Sequence, residues 1–338
     1  MTLLLPESEP ESGAVAGGRR GVILLSGFLG SGKTTLLRAE LQRTGPAGPA
    51  VVVNDFGHTA VDDVLLGEGR DAPTVISGGC ACCSRREELA VVLRQMLDAE
   101  HRRATRAAHH VVVETSGLSD PGPIAFTLAN DPVLRHHYEL TRICVTVDAL
   151  TGLATLEEHD VARRQLLAAD HLLVTKADLV GAQAAQDLVA RLRQLSPMAQ
   201  ISVTAAGELV GRQHVPDVPA RAATAPARQQ AAHLEDVRTL ELVTSAALDW
   251  QAFTVWLTLL LHRHGPRVLR VKGVLDVEGV GAVSVNGVQH VLHEPQHLTG
   301  SVPAGSRLVL ILRGLHPDVV ERSFFVLQNI ERSEQRRS

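Results

Sequence analysis

The run Gly27-Phe28-Leu29-Gly30-Ser31-Gly32-Lys33-Thr34 restricts this chain more than any other feature. It fits G-x-x-x-x-G-K-[ST]. The flanks agree, with an apolar strand pattern ending at Ser26 and a helical pattern starting at Thr34. The chemistry explains the composition. Glycines let successive backbone N–H groups converge on a phosphate, and the following helix adds its positive end. Lys33 is expected on the β- and γ-phosphates, and the Thr34 hydroxyl on Mg²⁺. A glycine-rich turn with a chance Lys-Thr is the plainer reading, but it would not require both flanks.

The rest of the first two thirds suits such a loop. Runs at 22–25, 50–53, 111–113, 143–147, 171–174 and 201–203 are almost continuously apolar and rich in Val and Ile. A parallel sheet covered on both faces needs strands of that kind. Helical patterns at 34–44, 87–103 and 183–195 alternate with them. The expected fold is therefore α/β: a P-loop NTPase with a doubly wound, mostly parallel sheet over 21–211. Residues 1–20, rich in Pro, Glu, Ser and Gly, read as a disordered lead-in. Residues 212–236 carry Pro216, Pro219 and Pro226 with little periodicity and read as a linker. Beyond it, strand patterns at 239–244, 268–277, 282–292 and 308–313 and helical patterns at 250–263 and 317–329 predict a smaller α+β domain over 237–330. In it, helices cover one face of an antiparallel sheet. Residues 331–338 read as a tail.

Two further segments bear on the nucleotide. Glu114-Thr115-Ser116-Gly117 follows the strand at 111–113. An acid at a strand end with Gly three residues on holds Mg²⁺ through water and offers the Gly117 amide to the γ-phosphate. Thr175-Lys176-Ala177-Asp178 follows the strand at 171–174 and approximates Asn-Lys-x-Asp, the guanine reader. Asp178 supplies the acceptor for the base N1 and N2 hydrogens and Lys176 packs over the ring, while Thr175 replaces Asn. GTP is favoured, with ATP or relaxed selectivity as the alternative. The plainer reading of Asp178 is a helix cap.

Three of the four cysteines stand together in Cys80-Ala81-Cys82-Cys83, beside Arg85 and Arg86 and ahead of a helical pattern. That setting lowers thiol pKa values, and thiolates select Zn²⁺, Cu⁺ or, with mixed ligands, Co²⁺. A structural zinc site takes four protein ligands, usually as two separated pairs. Three thiols without a second pair leave the shell open, which suits a metal that must depart. A redox or incidental cluster is the alternative. The fourth, Cys144, lies in an apolar run and reads as core filling.

With these residues stated, 27–35, Asn54-Asp55-Phe56-Gly57, Gly79-Cys80-Ala81-Cys82-Cys83, Glu114-Thr115-Ser116-Gly117-Leu118-Ser119-Asp120-Pro121 and Thr175-Lys176-Ala177-Asp178 together resemble the CobW-like metallochaperone GTPases. Leu269-Arg270-Val271-Lys272-Gly273 and Gly287-Val288-Gln289-His290 resemble that family's second domain, so the likeness spans about residues 21–326. It implies GTP and Mg²⁺ as cofactors and Zn²⁺ or Co²⁺ as cargo, delivered to a client metalloprotein or cofactor pathway. It implies catalytic roles for Lys33, Asp55 and Glu114, with Thr34 and Glu114 on magnesium. Nucleotide contacts fall on Gly27, Gly30, Ser31, Gly32, Lys33, Thr34, Thr35, Gly117, Lys176 and Asp178, and metal contacts on Cys80, Cys82 and Cys83. Three positions depart from the family pattern. Asp55 replaces Glu, Thr175 replaces Asn, and His58 stands where an acid often follows the switch glycine, which makes it a further candidate ligand. The long His-rich tract that many members of that family carry is missing.

The mixed charge, net -4, gives no electrostatic case for nucleic acid. The opening Met1-Thr2-Leu3-Leu4-Leu5 is stopped by Pro6 and Glu7, and the apolar stretch at 253–261 is too short to span a bilayer. The expected compartment is the cytoplasm, with no membrane partner and a homodimer as an option. Two other readings stand beside GTP-gated metal delivery. One is a nucleotide-dependent small-molecule kinase or ATPase with structural cysteines. The other is a metal buffer with vestigial GTPase activity.

Overall fold

In a computed structural model of the chain, the residues described are 18–44, 48–54, 76–77, 85–102, 110–213, 237–289, 291–298 and 305–328. The chain divides into two units between Val215 and Pro216.

In the first unit, β1 (Arg20–Gly27) begins one residue before the domain start read from sequence. Its Val22, Ile23, Leu24 and Leu25 are all fully buried, so both faces of the strand are covered. That burial explains why the strand reads as a continuous apolar run rather than an alternating one. Chain order continues through α1 (Lys33–Thr44), β2 (Ala50–Asn54), β3 (Ile76–Ser77), α2 (Arg85–His101) and β4 (His110–Thr115). Next come α3 (Pro121–Asn130), α4 (Leu134–His137), β5 (Tyr138–Asp148), α5 (Gly152–Glu158), α6 (Asp160–Ala168) and β6 (His171–Thr175). The unit closes with α7 (Ala182–Leu195), β7 (Gln200–Ala205) and β8 (Glu208–Gln213). The sheet order is β3-β2-β4-β1-β5-β6-β7-β8, parallel except for β8, which runs antiparallel to β7.

The order reverses beside β1. The chain steps outward to β2 and β3, returns through β4 on one side of β1, and then adds β5, β6 and β7 on the other. Ligands of open α/β sheets gather at the carboxyl ends of the strands beside such a switch point. Gly27, Glu114, Asp148 and Thr175 occupy those ends.

The second unit holds β9 (Val237–Thr244), α8 (Trp250–His264), β10 (Val268–Val277), β11 (Gly281–Val288), β12 (Val291–Leu292), β13 (Gln296–His297), β14 (Ser306–Arg313) and α9 (Pro317–Leu327). The strands form an antiparallel sheet in the order β12-β11-β10-β14-β9, with β13 on β11. One cluster joins Val271, Leu275, Leu308 and Leu310 of the sheet to Phe253, Trp256 and Leu260 of α8 and Phe324 of α9. Both helices therefore cover one face. Trp256 and Phe324 meet edge to face at 5.0 Å, a geometry contributing about 0.5–1.5 kcal/mol beyond area burial. The Trp256 indole N–H donates to Ser323 Oγ at 2.9 Å, so the buried ring leaves no donor stranded.

The strand expected at 282–292 is interrupted. Gln289 has φ 52, which ends β11 at Val288 and folds Val291–Leu292 back on it as a hairpin. Apolar residues on both sides of the turn hid it from a reading by hydropathy. Cys144 is core filling as expected: it is fully buried, and burial pushes its thiol up to about 12.

Candidate functional site

The phosphate loop joins β1 to α1. Gly30 and Gly32 have φ 71 and 89, left-handed values that few other residues adopt and that let the loop curl around the start of α1. Ser31 is a structural tie. Its hydroxyl donates to Phe28 O at 2.7 Å and lies 2.6 Å from Thr146 Oγ1 on β5. Lys33, only 8% exposed, folds back so that Nζ donates to Gly27 O at 3.0 Å and Phe28 O at 3.2 Å. The ammonium is thereby held over the loop at the start of α1. The Thr35 side chain is exposed.

Glu114, 2% exposed at the end of β4, accepts a 2.6 Å hydrogen bond at Oε1 from Thr34 Oγ1. A hydroxyl and a carboxylate in contact, next to a lysine and a helix N-terminus, form a suitable donor set for a Mg²⁺ carried in with phosphates. The strand end continues into Ser116-Gly117-Leu118-Ser119, where Ser119 N–H donates to Ser116 O at 2.9 Å. A Cβ on Gly117 would stand 2.7 Å from the Leu29 nitrogen and 2.8 Å from its Cα. Only glycine allows this turn to lie directly on the phosphate loop.

At β6, Thr175 Oγ1 donates to Ser31 O at 2.7 Å. Lys176 is left-handed at φ 58, a conformation that costs of order 1 kcal/mol for a non-glycine residue and clusters at functional sites. Its ammonium bonds Asp148 Oδ2 at 2.6 Å. Burial alone would raise the Asp148 pKa, but the bonds from Lys176 and from the Leu150 N–H outweigh it and hold the carboxyl below its ordinary range. Asp178 is exposed in a short 3-10 turn at Ala177–Leu179. Its Oδ1 accepts from the Ala206 N–H at 3.2 Å. The turn holding Ala206 and Gly207 packs on α1, since a Cβ on Gly207 would meet Ala39 Cβ at 2.8 Å.

The structure thus brings together Gly27, Gly30, Ser31, Gly32, Lys33, Thr34, Glu114 and Gly117 on the phosphate side. Lys176 and Asp178 stand at the end of β6, tied to Ser31 through Thr175. Asp55, His58, Cys80, Cys82 and Cys83 lie outside the described residues. Among the described residues, no group of three His, Cys, Asp or Glu is placed to hold a metal, and no helix is long and apolar enough to cross a membrane.

Sequence reasoning passed over several residues of this site. Asp148 is the last residue of β5 and Glu114 the last but one of β4, and an acid at a strand's carboxyl end was a usable signal. The Ala206-Gly207 turn follows a recognised strand and was equally available. Gln165, inside α6 and 1% exposed, gave no signal; its Nε2 donates to Gly117 O at 3.1 Å and Ser119 O at 2.9 Å. His159, just before α6, stacks on Phe28 of the phosphate loop with ring centroids 4.5 Å apart.

Residues 21–203 match the family model for the CobW/HypB/UreG nucleotide-binding domain. Residues 237–327 match the cobalamin synthesis protein cobW C-terminal domain. The zinc chaperone YjiA of Escherichia coli is 36% identical over 188 residues, covering 56% of this chain and 58% of that protein. The zinc-regulated GTPase metalloprotein activator 1 of Schizosaccharomyces pombe is 29% identical over 195 residues, covering 56% and 46%. The zinc chaperone CobW of a Sinorhizobium species is 29% identical over 193 residues, covering 49% and 53%. The chain spans about half the length of these curated relatives. The crystal structure of the Zn(II)-bound YjiA GTPase from E. coli shares the fold, with TM-score 0.64 and 24% identity over 91% of this chain and 99% of that one.

Proposed function

The chain belongs to the CobW/HypB/UreG nucleotide-binding family, and from that premise we propose that it binds and hydrolyses GTP and uses the nucleotide state to hold and release a transition metal for a client metalloprotein. The observation that carries the nucleotide half is the 2.6 Å bond between Thr34 and Glu114 beside the buried Lys33. Thr34 and Glu114 would hold Mg²⁺ there, and the ion would offset phosphate charge. Lys33 meets the β- and γ-phosphates, the Gly117 amide faces the terminal phosphate, and Asp178 and Lys176 read guanine. A guanine reader is of no use to a small-molecule kinase, which favours the switch reading over that alternative.

Cys80, Cys82 and Cys83 are the proposed cargo ligands, with His58 a weaker candidate. Zinc is favoured over cobalt because three relatives carry zinc in their names. Asp55 is the proposed link between the nucleotide and the cargo metal. The γ-phosphate orders the segment at 54–62 and, with it, the cysteine loop, and hydrolysis loosens both. The proposed setting is the cytoplasm.

Zn²⁺ and Co²⁺ affinities measured with the non-hydrolysable analogue GMPPNP and with GDP test the coupling. We expect tighter metal binding with GMPPNP by about 5- to 150-fold, and by linkage an equal gain in GMPPNP affinity with metal. Cys82→Ser should remove high-affinity metal binding and leave metal-free GTP binding intact. Identical metal affinity in the two nucleotide states would sink gated delivery and leave a metal buffer.

A further inference from the structure

Gln165 is polar, fully enclosed, and on an element that the phosphate-loop chemistry does not require. Its amide gives both hydrogens to main-chain carbonyls of one short turn, Gly117 O at 3.1 Å and Ser119 O at 2.9 Å. Two carbonyl acceptors fix which end of the amide faces the turn, because an oxygen there would confront two oxygens. The turn is closed within itself by the Ser119-to-Ser116 bond. On its far side Gly117 lies against Leu29 of the phosphate loop, with no room for a methyl group. The clasp pulls from one side and Leu29 blocks the other.

The helix that carries Gln165 is well anchored. Leu166 and Leu167 of α6 are buried, and Arg164 lies 3.4 Å from Asp120, whose carboxylate caps α3 directly after the turn. Just before α6, His159 stacks on Phe28, whose carbonyl accepts from Ser31 and Lys33. One short helix therefore braces both the phosphate loop and the turn facing it.

We propose that Gln165 is a positioning residue that holds the 116–119 turn where the Gly117 amide meets a third phosphate, and so sets the preference for nucleoside triphosphate over diphosphate. The proposal rests on the reading of 27–34 and 114–117 as a triphosphate site. A turn free to swing away from Leu29 still accepts GDP, whose contacts lie in the phosphate loop. It loses the contact that only the γ-phosphate makes. Gln165 touches neither nucleotide and acts through Gly117.

The test is the ratio of GMPPNP to GDP affinity in the full chain, for wild type, Gln165→Met and Gln165→Glu, with thermal midpoints recorded alongside. Gln165→Met keeps length and volume while removing both donors, so it carries the test should the buried carboxylate of Gln165→Glu prevent folding. We expect GMPPNP affinity to fall about tenfold, within the usual range of coupling between sites, while GDP affinity changes less than about twofold. GTP turnover should fall with GMPPNP affinity. Equal weakening of both nucleotides, or an unchanged ratio with only a lower thermal midpoint, would overturn the proposal and leave Gln165 as a core brace. Wild type that bound neither nucleotide would instead remove the triphosphate-site reading itself, an outcome visible before any variant is compared.

Discussion

Thr175 Oγ1, at the end of β6, donates a 2.7 Å hydrogen bond to the main-chain carbonyl of Ser31 inside the phosphate loop. The residue that departs from the usual guanine-reader pattern thus ties the 175–178 segment to the loop at 27–34. Thr175→Val keeps the shape and strands the buried Ser31 carbonyl, a loss of about 1–3 kcal/mol. We expect lower thermal stability and weaker binding of GTP and ATP alike, with Thr175→Ser close to wild type. Calorimetric melting and nucleotide titration check this; Val behaving like Ser would mean the hydroxyl bond contributes nothing.

Lys33→Ala removes the ammonium that Gly27 and Phe28 hold over the loop. Loss of one positioned charge-stabilising donor costs about 10²–10³-fold in turnover. Phosphate release from GTP should fall by at least that factor and triphosphate binding should weaken strongly. Full turnover in the variant would contradict the assignment of the loop.

Asp178→Asn exchanges a pure acceptor for a mixed donor and acceptor. Charged hydrogen bonds are worth about 1.5–3 kcal/mol, so GTP affinity should fall about ten- to a hundredfold. XTP, with a carbonyl where guanine carries its amino group, should gain. Competition among GTP, XTP and ATP decides the matter. Equal GTP and ATP affinities in wild type would reduce 175–178 to a helix start that also receives the Ala206 N–H.

The Asp148–Lys176 pair predicts a specific acid response. Burial raises the Asp148 pKa, but the Lys176 and Leu150 bonds dominate and the folded value lies below the unfolded one. The unfolded chain then takes up the proton first, so the pair's contribution is complete above the unfolded pKa and is lost as pH falls through the folded one. Asp148→Asn should cost about 1 kcal/mol at neutral pH, a partly screened pair. The gap between wild type and variant should close below about pH 4. Urea unfolding at a series of pH values measures it, and a gap independent of pH would exclude the pair as its source.

Much of this architecture is written in local sequence. Val22–Leu25 and Val111–Val113 are covered on both faces, and burial on both faces leaves an unbroken apolar run that hydropathy detects. Gly30, Gly32, Lys33 and Thr34 fall close together on one loop, so spacing alone exposes the motif. Glu114, Lys176 and Asp178 were legible because each lies at the carboxyl end of such a strand or within three residues of it. The helices at 121–130 and 160–168 were not read, although Asp120 followed by Pro121 is a helix-start signal.

Tertiary structure alone decided how these pieces touch. Thr175 sits beside Ser31, Gln165 beside Gly117, and His159 on Phe28 because the sheet order places β6 and α6 near β1, a relation that no local pattern encodes. Gln165 in particular looks like any polar residue of a surface helix until the carbonyls at 117 and 119 arrive. A hydrogen bond is a relation between two distant groups, and the sequence shows each group without showing the distance. The left-handed Lys176 and Gln289 have the same origin, in backbone conformations that side-chain chemistry does not demand and that only the surrounding packing holds in place.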